Sequence, residues 1–179
     1  ANAITHFGQF IIKLTSKEIE SLGHKVIYMD TDSVFVVTKN PENNKKLGKE
    51  LETHVNNFYK KYVKKKYNRE SYLDLEYEKL SLSLMIPQTR GGSEQAAKKR
   101  YAGLINKSGK EKLEITGLEA IRGDWTEAAQ DFQKELLLKV FHKEEVATFI
   151  NSYIKKIKEG KLDEKLIYRK SIRKDLKEY

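Results

Sequence analysis

The chain has 179 residues, 39% hydrophobic and 34% charged, and its 35 Lys and Arg against 26 Asp and Glu give a formal net charge of +9. That length supports one or two domains with a real core, and no stretch approaches the roughly 20 apolar residues of a membrane helix, so a soluble chain with no membrane partner is expected. The absence of cysteine excludes disulfide frameworks, thiolate metal sites and cysteine nucleophiles, while the positive balance points to a polyanionic partner.

Ala1 stands where an initiator Met is expected, residues 1–22 already read as helix from the middle of a domain, and no signal peptide is visible, so an excised piece of a longer protein is expected. In that first helix Ile4, Phe7, Phe10, Ile11, Leu14, Ile19 and Leu22 recur at three- and four-residue steps, and Gly23 stops it. Lys25 to Met29 and Ser33 to Thr38 are β-branched and aromatic runs separated by Asp30-Thr31-Asp32, the pattern of a β-hairpin with acids at its tip. A second helix starts at Pro41, carries Leu47, Leu51, Val55, Phe58 and Tyr62 on one face, and ends around Lys64-Lys65-Lys66.

From Tyr72 to Ile86 the period falls to two, with Leu73, Leu75 and Tyr77 on one side and Asp74, Glu76 and Glu78 on the other, which predicts a strand. Arg90-Gly91-Gly92-Ser93 reads as a loop, Lys98 to Ile105 as a strand, residues 106–109 as a turn, and Lys112 to Thr116 as a returning strand. After Gly123 the helical period returns through Ala128, Phe132, Leu136 and Val140, then through Val146, Phe149, Ile150, Tyr153, Ile154 and Ile157, with Asp124 or Thr126 as the cap of the first helix. The expected fold class is α+β: an antiparallel sheet with packing helices over residues 1–123, then a mostly helical subdomain over residues 124–179.

Tyr28-Met29-Asp30-Thr31-Asp32-Ser33 carries the most chemical information. Residues two apart in a strand project to one side, so Asp30 and Asp32 can converge; two such anions repel unless a cation lies between them, and hard oxygen ligands suit Mg2+. Asp-Thr-Asp is also ordinary turn chemistry, because Asp hydrogen-bonds its own backbone, and taken alone the tripeptide favours that plainer reading.

Context shifts the balance. Tyr-x-Asp-Thr-Asp-Ser after an apolar strand, followed by Lys98-Lys99-Arg100-Tyr101 and then by Gly117-Leu118-Glu119 with Asp124-Trp125, resembles a family B DNA polymerase, with similarity to the bacterial DNA polymerase II group and its archaeal relatives. The resemblance implies template-directed nucleotidyl transfer from dNTP to a primer 3′ end, residues 1–123 being the C-terminal part of the palm and residues 124–179 the start of the thumb. It implies two Mg2+ ions in the full-length parent, with Asp32 as ligand of both, Asp30 as an accessory carboxylate, and Glu78, like Glu76, as a weaker metal candidate. The partners so implied are primer–template DNA, dNTP and the remainder of the polymerase chain, with a sliding clamp reached through that remainder; the implied location is cytoplasmic, at the nucleoid. The family's Asp with Ser-Leu-Tyr-Pro motif and its Asn-Ser-x-Tyr-Gly helix do not occur in this sequence, so the 179 residues alone are expected to be inert.

As the opening of a strand, Lys98-Lys99-Arg100-Tyr101 would put Lys99 and Tyr101 on one face and Lys98 and Arg100 on the other, with cations suited to phosphate and the ring to a sugar or base edge. The resemblance implies that Lys99 and Tyr101 meet the primer strand near its 3′ end, with Lys98 and Arg100 as weaker DNA-binding candidates. Arg122, where palm gives way to thumb, is a candidate primer-phosphate contact, and Trp125 is expected to anchor the boundary core. Arg169 and Arg173 form a basic edge in helix or strand geometry, which the resemblance makes part of the thumb's grip on duplex DNA. The basic run from Lys60 to Arg69 reads as a solvated helix end, and His6, His24, His54 and His142 lack ligand spacing. The alternative of a different class is a non-catalytic basic nucleic-acid-binding module in which the two aspartates are incidental. A cyclase or reverse transcriptase would account for the acids but not for Lys98 to Tyr101 followed by a helical tail.

Overall fold

The apolar stripes of the sequence collect into two separate cores. The computed structural model describes residues 2–38, 44–89, 96–107, 109–169 and 174–178, and the chain divides into two units, Ala1–Leu80 and Ser81–Tyr179. Among the described residues no helix is long and apolar enough to cross a membrane.

In the first unit, helices α1 (Asn2–Ser21) and α2 (Asn44–Tyr67) accompany a hairpin of β1 (Lys25–Asp30) and β2 (Ser33–Val37). The core is Ile19, Val55 and Tyr59, with Ile11, Val26, Val34, Val36 and Leu75 packed around it. The predicted stripe of α1 is used from Ile11 onward, whereas Ile4 and Phe7 at its start are exposed. One polar pair is built into this core: the buried Thr15 hydroxyl gives its single proton to the Ile11 carbonyl (2.8 Å), so the Tyr59 hydroxyl must donate to Thr15 Oγ1.

Residues 71–80 depart from expectation in an instructive way. Burial alternates as predicted, with Leu73, Leu75 and Tyr77 half-buried and Asp74, Glu76 and Glu78 exposed, yet the segment joins no sheet. Its backbone bonds go to side chains of α2 instead: Asn56 accepts from Leu75 N–H (2.8 Å) and donates to Leu75 C=O (2.9 Å), and Glu52 accepts from Tyr77 N–H (2.7 Å). Gly48 leaves room for the Tyr77 ring, which a Cβ at that position would overlap. The period of two was therefore correct for burial and wrong for a ladder, because an amide and a carboxylate take the place of the neighbouring strand.

In the second unit β3 (Ser81–Met85), β4 (Tyr101–Lys107) and β5 (Lys110–Thr116) form an antiparallel sheet in that order. The single sheet expected over residues 1–123 is thus two sheets among the described residues, within an α+β fold. Ala102, Leu118 and Leu137 form the core, flanked by Met85, Leu113, Ile115 and Phe141. Leu137 and Phe141 come from α3 (Glu127–Phe141), so this helix completes the core of the sheet, and the division between units at Leu80 does not coincide with the change of periodicity at Gly123. Helix α4 (Ala147–Lys158) docks on α3 through Phe149 stacked on Phe132 at 5.4 Å, and through the Tyr153 hydroxyl, which donates to the Ala128 carbonyl (2.8 Å). Trp125 is 39% exposed and is not the core anchor it was expected to be.

Of the two candidate caps for α3, Thr126 is the one used. Its hydroxyl accepts the Ala129 N–H at 3.3 Å and the residue is buried, while Asp124 turns to Arg122. Removing such a cap typically costs about 1 kcal/mol. Urea denaturation of Thr126→Ala should therefore show about that loss in unfolding free energy, with an unchanged denaturant slope.

Candidate functional site

The acidic hairpin is built by a tight register. Tyr28 pairs with Phe35, Met29 with Val34 and Asp30 with Ser33, which leaves Thr31 and Asp32 as a two-residue loop. A register shift between Val26 and Tyr28 marks a bulge in β1, and the buried Tyr28 meets Phe35 edge-on at 5.3 Å, fixing the end of the hairpin. The chain reverses at Thr31, whose φ is +57°, and Asp32 N–H donates to Asp30 C=O at 2.7 Å. Asp30 ends β1 and Asp32 lies in the loop, so the two are related by this turn and not by strand alternation, a correction to the geometry expected of them. A β-branched residue at positive φ costs roughly 1–3 kcal/mol and persists where surrounding contacts impose it, typically at functional sites.

Asp30 is half-buried and Asp32 exposed. The Thr31 hydroxyl donates to Asp30 Oδ1 (3.1 Å) and the Ser33 hydroxyl to Asp32 Oδ1 (3.2 Å), so a neighbouring hydroxyl steadies one oxygen of each carboxylate. Glu78 does not join them: it lies outside any strand, is 74% exposed, and pairs with Lys79 at 3.1 Å. Among the described residues no three Asp, Glu or His side chains gather as a ready cation cage.

The basic motif in the second unit is a turn followed by a strand. Lys98 and Lys99 precede β4, and Lys99 adopts φ +56°, so the shared face expected for Lys99 and Tyr101 does not arise. The reason lies in the hairpin register. Tyr101 pairs with Thr116 at the open end of β4 and β5, so the next residues outward, Arg100 and Gly117, are forced into proximity. Gly117 has φ +62°, and a Cβ there would strike the Lys99 carbonyl, which makes glycine the residue this packing requires. Upstream, Ala97 N–H donates to Pro87 C=O (2.8 Å) and Gln88 bridges Ala96. Lys98 and Lys99 are exposed on this tethered turn, and Tyr101 is half-buried.

Arg100 is used internally. Its Nη2 donates to Glu119 Oε1, while Glu119 Oε2 accepts from Gln133 Nε2 (3.2 Å) and Gln133 Oε1 accepts from Ala120 N–H (2.5 Å). The Glu119 backbone N–H, the Gln133 amide and the Arg100 guanidinium hold the Glu119 carboxyl below the usual glutamate range, against the opposing effect of burial. Gly117, Glu119 and Gln133 are the site residues that sequence reasoning had not assigned. Their signal was that Gly117-Leu118-Glu119 directly follows the returning strand, where it must meet whatever precedes β4.

The remaining candidates separate clearly. Arg122 grips Asp124 with two hydrogen bonds (2.9 and 2.5 Å), and Gln130 Nε2 donates to the Arg122 and Trp125 carbonyls (2.8 and 3.2 Å). Arg169 is exposed in an irregular segment, and Arg173 lies outside the described residues. Lys165, upstream of them, is held by Asp131 (2.6 Å) and Glu127 (3.2 Å), which push its ammonium up to about 12. Two histidines serve surface pairs, His54 with Glu18 (2.8 Å) and His142 with Glu111 (2.7 Å).

Comparison with known proteins places these motifs in context. The sequence profile described as DNA polymerase family B matches residues 1–179. DNA polymerase II of Escherichia coli (strain K12) is 41% identical over 182 residues, covering 100% of this chain and 23% of that protein. The DNA polymerase of Archaeoglobus fulgidus is 32% identical over 174 residues (94% of this chain, 19% of that protein), and that of Thermococcus kodakarensis is 33% identical over 184 residues (100% and 10%). The chain spans less than a quarter of the length of these relatives.

The ionised state of Glu119 carries a pH signature. Because its folded pKa lies below the ordinary value of 4.5, the stabilisation it gives is fully present above pH 4.5 and is lost as pH falls through the folded value. Wild type should therefore melt higher than Glu119→Gln at pH 7, and thermal melts should show that gap narrowing from pH 4.5 downward. A gap that widens on acidification would contradict the assignment.

Proposed function

Because the chain belongs to DNA polymerase family B, we propose that its acidic hairpin is catalytic in template-directed nucleotidyl transfer, on primer–template DNA and dNTP, in a full-length polymerase carrying this segment. The observation that carries this reading is the loop Asp30-Thr31-Asp32, where a strained left-handed threonine sets two carboxylates at an exposed hairpin tip. In the proposed reaction the primer 3′ hydroxyl gives its proton to solvent as its oxygen bonds to the α-phosphorus of the dNTP, the bond from that phosphorus to the bridging oxygen breaks, and pyrophosphate leaves with its electron pair.

The donor set fits Mg2+. Both residues offer hard oxygens, and the hydroxyls of Thr31 and Ser33 bind Oδ1 in each case, which favours Oδ2 as the ligand. Asp32, exposed, and Asp30, half-buried, would hold the ion or ions; when bound, such ions lower the charge of the triphosphate and make the 3′ hydroxyl a better nucleophile. Two carboxylates do not fill an octahedral shell, and phosphate oxygens, water and acids elsewhere in the polymerase complete it. For that reason the 179 residues alone are proposed to be inert in synthesis. The exposed Lys98–Lys99 turn is proposed to meet DNA phosphates, with Tyr101 packing beside it, and Arg169 and Arg173 to add backbone contacts from the thumb.

The test is made in the full-length polymerase. Asp32→Ala should lower primer extension by several orders of magnitude while DNA affinity changes little, since the lost group positions charge and does not grip phosphate. Asp30→Ala should cost less. Near-normal extension by the Asp32→Ala enzyme would leave this chain a DNA-binding module whose acids are incidental.

A further inference from the structure

The cation at position 100 sits in a motif that invites a phosphate, yet its geometry commits it elsewhere. The Arg100 side chain is 31% exposed and that of Glu119 only 13%, and Gln133 occupies the second Glu119 oxygen. An approaching phosphate would have to break this pair. Meanwhile the neighbouring Lys99 holds a left-handed backbone that a side-chain-bearing residue keeps only under external constraint. Three constraints are present: Ala97 tied to the Pro87 carbonyl before the turn, the Lys99 carbonyl seated against Gly117, and Arg100 clamped by Glu119 after it.

We propose that the Arg100–Glu119 pair, braced by Gln133, is a positioning element that fixes the Lys98–Lys99 turn against the DNA backbone, and that Arg100 is not itself a phosphate contact. The proposal rests on the reading that this turn meets DNA. It assigns Glu119 a role opposite to its charge: a carboxylate beside a polyanion repels it, and yet here it strengthens binding by holding Lys99 in place.

That opposition of sign makes the test sharp. Binding of a fluorescein-labelled primer–template duplex to the 179-residue chain is followed by anisotropy across a salt series, for wild type, Lys99→Ala, Glu119→Gln and the double variant. Lys99→Ala should weaken binding and reduce the slope of log affinity against log salt by about 0.9, the value for one phosphate contact on B-DNA. Glu119→Gln, although it removes a negative charge, should also weaken binding and flatten the slope, and the double variant should bind no worse than Lys99→Ala alone, as expected for coupled residues. Were Arg100 a direct contact, Glu119→Gln would free the guanidinium, tighten binding and steepen the slope; that result overturns the proposal while leaving the DNA reading intact. A Glu119→Gln protein with a lower melting temperature but unaltered affinity and slope also overturns it, by reducing the pair to a structural one. If Lys99→Ala changes nothing, or wild type does not bind at low salt, the DNA reading of this turn fails and the positioning proposal fails with it. Should Glu119→Gln not fold, as judged by circular dichroism, Arg100→Lys, which keeps the charge but loses the planar donor, should give an intermediate loss of affinity; an unchanged affinity there overturns the proposal as well.

Discussion

A left-handed backbone on a residue with a side chain is the constraint on which both motifs depend. Four described non-glycine residues have positive φ: Asn68 directly follows α2 and Lys143 follows His142, the C-cap of α3, where a helix commonly ends this way, but Thr31 and Lys99 stand inside the acidic hairpin and the basic turn. Each such residue costs about 1–2 kcal/mol that its neighbours must offset. At Thr31 the offset comes from the pairing of Asp30 with Ser33, the bond from Asp32 N–H to Asp30 C=O, and the buried Tyr28 beneath. At Lys99 it comes from Gly117 and the Arg100–Glu119 pair. In both places the strained residue lies inside the charged motif, Thr31 between Asp30 and Asp32 and Lys99 between Lys98 and Arg100.

The difference between the two turns lies in how far the supporting residues are from the motif. The hairpin tip is local: Tyr28 to Phe35 contains nearly everything that shapes it, which is why Asp30 and Asp32 could be placed at a tip from sequence. The basic turn depends on residues 18 to 34 positions from Lys99, namely Gly117, Glu119 and Gln133, brought in by the β4–β5 register and by α3. Such contacts are not periodic and leave no pattern, so reading residues 98–101 as uniform strand was natural and mistaken.

The same distinction explains what else was legible. Helices α1, α2, α3 and α4 and the first hairpin follow from periods of 3.6 and 2 over ten or more residues, with caps and glycines at their ends. The strand expected from Tyr72 failed at its first half because a period of two reports which side chains are buried and says nothing of what satisfies the backbone. Asn56 and Glu52 of α2 perform that service, and nothing in residues 71–80 announces it. Likewise the return to helical period at Gly123 marks where strands stop, but Leu137 and Phe141 complete the core of the preceding sheet, so the change of secondary structure is not a change of core.

A net charge of +9 says that cations exceed anions and leaves open which of them face outward. Arg100 is clamped to Glu119, Arg122 to Asp124, and Lys165 to Asp131 and Glu127. Each is a cation that the net charge alone assigns to a polyanion, and each instead serves a contact within the protein: Arg100, just before β4, with the turn Glu119–Ile121, Arg122 with Asp124 two residues on, and Lys165 with the side of α3. Engagement of this kind screens a cation from long-range attraction and leaves its pair as the determinant of local geometry. The exposed side chains proposed to meet phosphate, Lys98, Lys99 and Arg169, lie outside these three pairs. A turn held by the half-buried Glu119 carboxylate fixes the position of its lysines, a more effective use of two charges than the same pair on an unbraced strand.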